Sequence, residues 1–131
     1  MCKNGTNAKK GMVIKMAEYT LAHVGINTEN AEEAMKAAKM FELLFGFTIK
    51  EGNSSIFTGG VVELMKSPYL GKNGHIAIGT PDVAAAKAEL EAKGFKFNES
   101  SAKCKPDGTL NAIYLEDEIA GFAVHLVGNK K

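Results

Sequence analysis

The sequence of 131 residues contains no arginine and no tryptophan. Without arginine, no side chain can grip a phosphate or carboxylate through two parallel hydrogen bonds, so an anionic ligand would have to be held by lysine as a point charge. No apolar run approaches the roughly 18 residues that span a bilayer, which predicts no transmembrane helix. The net charge is only +1, so neither nucleic acid nor an anionic membrane surface is an expected partner.

Cysteine is also scarce, with only Cys2 and Cys104 in the chain. Their spacing does not match a metal motif, and Cys2 falls in a polar terminus, so we predict no structural disulfide. The segment "MVIKMA" is too short for a secretory signal, and a lysine interrupts it. These features predict a cytoplasmic location in a reducing compartment.

The chain divides into a polar tail, residues 1–17, and one predicted domain, residues 18–131. Within the domain, residues 18–66 and 74–128 each have the order β-α-β-β-β, and the connector "SPYLGKNG" lies between them. In the first module, we predict a helix that begins after Asn30 as N-cap, with Glu33 as capping-box partner, and that ends at Gly46. Its predicted buried stripe is Ala31, Ala34, Met35, Ala38, Phe41 and Phe45.

The second module repeats this order with a helix over "DVAAAKAELEAKG". Thr80 is its predicted N-cap, Pro81 its first helical residue and Gly94 its terminator. The extra length of this module falls in the hairpin around residues 98–109. The fold class is therefore α+β, with two modules sharing one core.

Two hexapeptides mark corresponding first strands, "HVGINT" from His23 and "HIAIGT" from His75. Strand alternation places each histidine on a face lined by glycine and alanine, opposite a β-branched face that suits packing under a helix. On the last strand of each module, alternation points Glu63 away from Val62 and Leu64, and it points His125 away from Phe122, Val124 and Leu126. Each module thus presents one polar side chain on its first strand and one on its last.

Polar groups inside apolar strands are costly unless something pairs with them, and a divalent metal would pair with all four. The donor set His23, Glu63, His75 and His125 favours nickel, zinc, iron, manganese or cobalt over magnesium or calcium. A single strand histidine is more often a hydrogen-bonded structural residue, and Glu63 alone could be a solvent-facing edge residue. The joint pattern of the four residues is what favours a metal site.

These residues and strands resemble the vicinal oxygen chelate superfamily, which includes glyoxalase I, methylmalonyl-CoA epimerase, extradiol dioxygenases and bleomycin-resistance proteins. "GHIAIGT" and "VVELMKS" are similar to glyoxalase I strands. The resemblance covers residues 19–128 and implies a cup-shaped, curved mixed sheet around the metal. It also implies a homodimer in many members, with each cup built within one chain or across two.

The resemblance implies a metal-dependent lyase or isomerase that acts on a small substrate with vicinal oxygens, such as a 2-keto compound or a hemithioacetal. The metal would act as a Lewis acid that stabilises an enediolate, while Glu63 or His125 moves the proton. Lys66 could hold a substrate anion or be a solvated strand-end residue. Glyoxalase I has glutamate at the position of His125, and its glutathione-binding arginine is replaced here by Asn27.

Three other functions stay open. Some superfamily members sequester bleomycin-like drugs through aromatic walls, although aromatic content of 8% disfavours this. The stretch "NSSIFTGGVVELMKSPYLGKNGHIAIGT" is also similar to a domain appended to some bacterial 2-keto-3-deoxy-6-phosphogluconate aldolases, which would make the chain an accessory partner of an aldolase. A dioxygenase is the weakest option, because its iron needs open positions that four protein ligands would fill.

Overall fold

The structure is a computed structural model that describes Cys2 and residues 17–129. Most of the predicted tail lies outside the described residues. The elements are β1 (Thr20–Asn27), α1 (Ala31–Phe45), β2 (Ile49–Glu51), β3 (Ser55–Thr58), β4 (Val62–Met65), β5 (Gly74–Thr80), α2 (Val83–Ala92), β6 (Phe97–Cys104), β7 (Leu110–Leu115) and β8 (Phe122–Gly128). The described part of the chain therefore follows the predicted β-α-β-β-β order twice.

Helix α1 begins and ends where the sequence predicts. The Asn30 side chain accepts a hydrogen bond from the backbone N–H of Glu33, and Gly46 closes the helix in the left-handed conformation with φ 72°. Ala34 and Ala38 are fully buried, while Met35 and Phe41 pack partly against the same cluster. The predicted stripe is wrong at both ends of the helix: Ala31 is exposed, and Phe45 is 62% exposed.

Helix α2 begins later than predicted. Its N-cap is Asp82, whose carboxylate accepts a hydrogen bond of 3.0 Å from the backbone N–H of Ala85. Thr80 is the last residue of β5, and Pro81 precedes the cap. An aspartate can cap a helix at least as well as a threonine, and its negative charge also suits the helix N-terminus. Gly94 follows the helix end with φ 101°, as a terminating glycine should.

The eight strands form one mixed sheet in the order β2-β3-β4-β1-β5-β8-β7-β6. Strand β1 pairs with β4 in parallel, whereas β2–β3, β3–β4, β6–β7 and β7–β8 are antiparallel. Together with two helices, this sheet confirms the predicted α+β class. The register of β6 against β7 shifts between Asn98 and Lys103, which is where the second module carries its extra residues.

The chain divides into two compact units. The first, which we call the 23–77 unit, comprises residues 23–77 and 118–123. Its core is a cluster of four buried residues: Ala34, Ala38, Ile56 and Leu64. Helix α1 thus covers one face of β3 and β4 with alanines, which allow the helix backbone to approach the sheet closely. The opposite face of these strands is left for other side chains.

The second, the 78–117 unit, comprises the described residues up to Ala22 together with 78–117 and 124–129. Its core cluster is Val83, Ala86, Phe97, Leu110, Ile113 and Leu126. Among the described residues, neither helix is long and apolar enough to cross a membrane.

A disulfide joins Cys2 to Cys104 within the 78–117 unit. The prediction that these cysteines do not form a disulfide is therefore wrong. Sequence alone could not show that β6 brings Cys104 to the start of the chain, because the two residues are 102 positions apart. The predicted cytoplasmic location rested in part on that expectation, and it stays a prediction.

Candidate metal centre

Strand pairing brings Glu63 beside the first histidine strand. In the parallel β1–β4 pair, Gly25 lies opposite Glu63. His23 is two residues before Gly25 on β1, so both residues lie on the same face of the strand. This face is the one that turns away from the alanines of α1. The register therefore places the Glu63 carboxylate next to the His23 imidazole.

Three donor atoms converge within the 23–77 unit. His23 Nε2 and His75 Nε2 are 3.3 Å apart. Glu63 Oε1 lies 3.3 Å from His23 Nε2 and 3.0 Å from His75 Nε2. The three side chains are mostly buried, with exposed fractions of 20% for His23, 14% for Glu63 and 5% for His75. These three of the four predicted ligands all lie in the 23–77 unit.

Gly25 makes this convergence possible. A Cβ atom built at position 25 would lie 2.0 Å from Cε1 of His75 and 2.3 Å from its Nδ1. The His75 ring therefore occupies the space that any other residue at position 25 would fill. The sequence predicts that glycine and alanine leave space on the faces that carry the histidines. At Gly25, the His75 ring fills that space.

The second oxygen of Glu63 is held by a residue that the sequence reasoning missed. The Ser55 hydroxyl donates a hydrogen bond of 2.6 Å to Glu63 Oε2. Burial alone would raise the pKa of Glu63, but hydrogen bonds from His23, His75 and Ser55 outweigh it and hold the pKa well below its ordinary value of 4.5. The carboxylate is therefore ionised at neutral pH, the form that a metal requires.

Phe57 forms an aromatic wall beside the cluster. It lies opposite Glu63 in the β3–β4 pair, and its ring meets the His23 ring edge-on at 5.3 Å between centroids and an interplanar angle of 82°. The tight "TGG" turn could have revealed both neighbours from sequence. It fixes the β3–β4 register, and alternation then places Ser55 and Phe57 on the Glu63 face.

The spacing of the three donor atoms fits a divalent transition metal. Ligand atoms bound at about 2.1 Å to one ion lie roughly 3.0 Å apart in octahedral and 3.4 Å apart in tetrahedral geometry. The observed separations of 3.0 and 3.3 Å fall within that range. Two imidazoles and one carboxylate suit zinc, iron, nickel, cobalt or manganese better than calcium. His23, Glu63 and His75 could therefore hold such an ion.

His125 belongs to the 78–117 unit, on β8. It is 9% exposed, and its ring lies 4.5 Å from the Tyr114 ring, measured between centroids. Its Nδ1 is 3.3 Å from the backbone oxygen of Leu126. Tyr114 and His125 face each other across the β7–β8 pair. The role of His125 as a metal ligand or proton carrier stays a prediction.

Two other residues singled out from the sequence contact the protein itself. Lys66 donates hydrogen bonds to Glu51 Oε2 at 2.8 Å and to the backbone oxygen of Gly52 at 2.9 Å. Asn27 donates to the Gly71 oxygen at 3.0 Å and accepts from the Tyr69 N–H at 3.1 Å. Asn27 therefore fastens the connector between the modules to β1.

Comparison with known proteins supports the fold. No protein-family model matches the sequence, and no curated protein matches it. Among solved structures, methylmalonyl-CoA epimerase from Streptomyces coelicolor, in complex with 2-nitronate-propionyl-CoA, has a TM-score of 0.58 and 18% identity, covering 85% of this chain and 97% of that chain. The epimerase from Mycobacterium tuberculosis has a TM-score of 0.59 and 17% identity, covering 92% and 95%. A hypothetical protein from Bacillus halodurans has a TM-score of 0.60 and 16% identity, covering 86% and 96%.

At these identities the similarity shows the fold alone. The chain has the fold of the methylmalonyl-CoA epimerases. The fold that the sequence resemblance implies is therefore confirmed.

Proposed function

We propose that this protein is a metal-dependent isomerase or lyase of the glyoxalase type. The observation that carries the proposal is the convergence of His23 Nε2, His75 Nε2 and Glu63 Oε1 at mutual distances of 3.0 to 3.3 Å. A bound divalent ion would supply Lewis-acid polarisation of a substrate carbonyl. We further propose His125 as the fourth ligand, from its position in the second module equivalent to that of Glu63 in the first.

The residues of the site would bind the ion, transfer the proton and limit the access of water. His23 and His75 would hold the ion as neutral imidazoles, while Glu63 contributes one negative charge. Proton transfer next to the substrate carbonyl would fall to Glu63 or His125. A positioned base contributes roughly 10²–10⁴-fold to such a step. The Phe57 ring would keep one side of the cluster apolar and limit the access of water.

The proposed substrate is a small molecule with a carbonyl next to an acidic C–H bond. Candidates are hemithioacetals and 2-keto acids. Acyl-CoA thioesters are a third candidate, because the similar structures from Streptomyces coelicolor and Mycobacterium tuberculosis are methylmalonyl-CoA epimerases. In all three classes, removal of the proton leaves charge on the carbonyl oxygen. The absence of arginine disfavours substrates that need a bidentate anion clamp.

Metal binding is the first test. Protein purified without chelators and supplemented separately with nickel, zinc, cobalt, manganese and iron(II) is analysed by inductively coupled plasma mass spectrometry. We expect about one ion per chain in the wild type and loss of the ion in His75→Ala and Glu63→Gln. Glu51→Gln is the matched control, because its carboxylate lies on the exposed end of β2 and pairs only with Lys66 among the contacts described. A wild-type content below about a tenth of an ion per chain would refute the proposal.

Catalysis is tested separately with the reconstituted protein. Exchange of the substrate C–H proton with solvent deuterium, followed by NMR, detects proton removal in all three substrate classes without assuming the product. We expect exchange with at least one class, and we expect Glu63→Gln to abolish it. Metal binding without exchange on any class would favour a binding module over an enzyme.

The alternative is a small-molecule-binding or accessory domain without chemistry. The hydrogen bonds among Ser55, Glu63 and the two histidines favour this alternative, because they give both oxygens of the carboxylate a partner within the protein. Ligand binding that persists in chelator would support it. Three further properties also remain proposals. Copurification would test association with an aldolase, light scattering would test a homodimer, and cell fractionation would test a cytoplasmic location.

A further inference from the structure

Ser55 is a buried polar residue that contacts the candidate site and does not belong to the expected ligand set. It is the first residue of β3 and is 6% exposed. A buried hydroxyl costs free energy unless it is hydrogen-bonded, and the Ser55 hydroxyl donates to Glu63 Oε2 at 2.6 Å. A bond to an ionised acceptor is about twice as strong as a neutral one.

Because of this bond, the two oxygens of Glu63 have different partners. Oε2 accepts from Ser55, whereas Oε1 lies 3.3 Å from His23 Nε2 and 3.0 Å from His75 Nε2. A carboxylate without the serine could rotate about its last bond and present either oxygen, or both, to an ion. The serine therefore selects the oxygen and fixes the plane of the group.

We propose that Ser55 is a positioning residue that holds Glu63 as a single-oxygen metal ligand. This inference rests on the proposed function, because it concerns the same site. Partners of this kind orient metal ligands, and their removal usually costs 10–100-fold in metal affinity. The serine acts only through Glu63.

The test compares Ser55→Ala with Thr58→Val. Both changes remove one hydroxyl from β3, but Thr58 is fully buried on the opposite face of the strand and donates to the Val62 oxygen at 3.4 Å. Dissociation constants for cobalt(II) and zinc(II) are measured by competition with a chelating dye. We expect Ser55→Ala to bind about 10–100-fold more weakly than the wild type, and Thr58→Val to bind within about twofold of it.

A second readout separates positioning from stability. The visible spectrum of bound cobalt(II) reports coordination number, so Ser55→Ala should show weaker absorption as both oxygens of Glu63 become available. Melting temperatures of the metal-free variants are measured in parallel. If Ser55→Ala does not fold, Ser55→Cys takes its place, because a thiol has similar size and is a weaker donor.

The outcomes distinguish the two proposals. If the wild type binds no ion, the proposed function fails and the role of Ser55 fails with it. If the wild type binds cobalt tightly and Ser55→Ala matches it in affinity and spectrum, only the positioning role is overturned. Equal loss of melting temperature in both variants, with unchanged cobalt affinity, would show that the hydroxyl serves stability alone.

Discussion

Replacing Gly25 with alanine should displace His75. The new Cβ atom would lie 2.0 Å from Cε1, 2.3 Å from Nδ1 and 2.6 Å from Nε2 of the His75 ring. Ordinary contact begins at 3.4 Å, so the nearest ring atom must move by 3.4 − 2.0 = 1.4 Å. Because His75 is buried, the ring has little free space to move into, and we expect its distance to Glu63 to change.

A displacement of this size exceeds what a metal site tolerates, since ligand distances hold to about ±0.2 Å. We therefore expect a loss of metal affinity above the roughly 100-fold that removal of an outer partner can cost. The free energy of unfolding should change less than the free energy of metal binding. Overpacking costs about 1–3 kcal/mol, and loss of glycine flexibility in the unfolded chain offsets about 0.4–1 kcal/mol of it.

The assay measures the zinc dissociation constant and the free energy of unfolding in urea for Gly25→Ala and the wild type. Gly79→Ala is the control, because its Cβ would meet the ends of two side chains, Asn129 and Thr20, rather than a ring at the site. We expect Gly79→Ala to retain zinc affinity. Gly25→Ala that binds zinc as tightly as the wild type would show that the ring has room to adjust and that the reasoning is wrong.

Three further predictions concern the rest of the molecule. Burial and the hydrogen bond to Glu89 raise the pKa of Tyr19 to about 12, so absorbance titration should show a tyrosine step near pH 12 that moves to lower pH in Glu89→Gln. Because the folded-state pKa is the higher one, the free energy of unfolding should be unchanged below pH 10 and fall as the pH rises towards 12. A titration with no tyrosine step near pH 12 would contradict this. Asp82→Ala should cost about 0.5–2 kcal/mol in urea unfolding through loss of the α2 cap, and an unchanged midpoint would show that Asp82 does not stabilise the helix. Under oxidising conditions, Cys104→Ser should lower the free energy of unfolding by about 2–5 kcal/mol, whereas in reductant it should have no effect; thermal unfolding measures both. Equal melting temperatures of Cys104→Ser and the wild type under oxidising conditions would argue against the disulfide.

The element order could be predicted from the sequence because the local signals are strong and agree. Asn30 and Gly46 delimit α1 through side-chain and backbone preferences that act within a few residues. The predicted start of α2 is wrong because Thr80 and Asp82 are both good N-cap residues. Which of them caps the helix depends on how far β5 extends. The Cys2–Cys104 disulfide joins residues 102 positions apart, so no local pattern could reveal it.

The sequence by itself determined which residues could form a metal site. Alternation along strands is a local property, and it placed His23, Glu63 and His75 on the faces opposite the helix-packing side. Only the tertiary structure decided how they meet. The parallel β1–β4 register sets Glu63 beside Gly25, the missing side chain of Gly25 admits the His75 ring, and Ser55 turns one carboxylate oxygen towards the histidines. These are contacts between distant segments, and their geometry depends on ångström-scale packing that residue types alone do not specify.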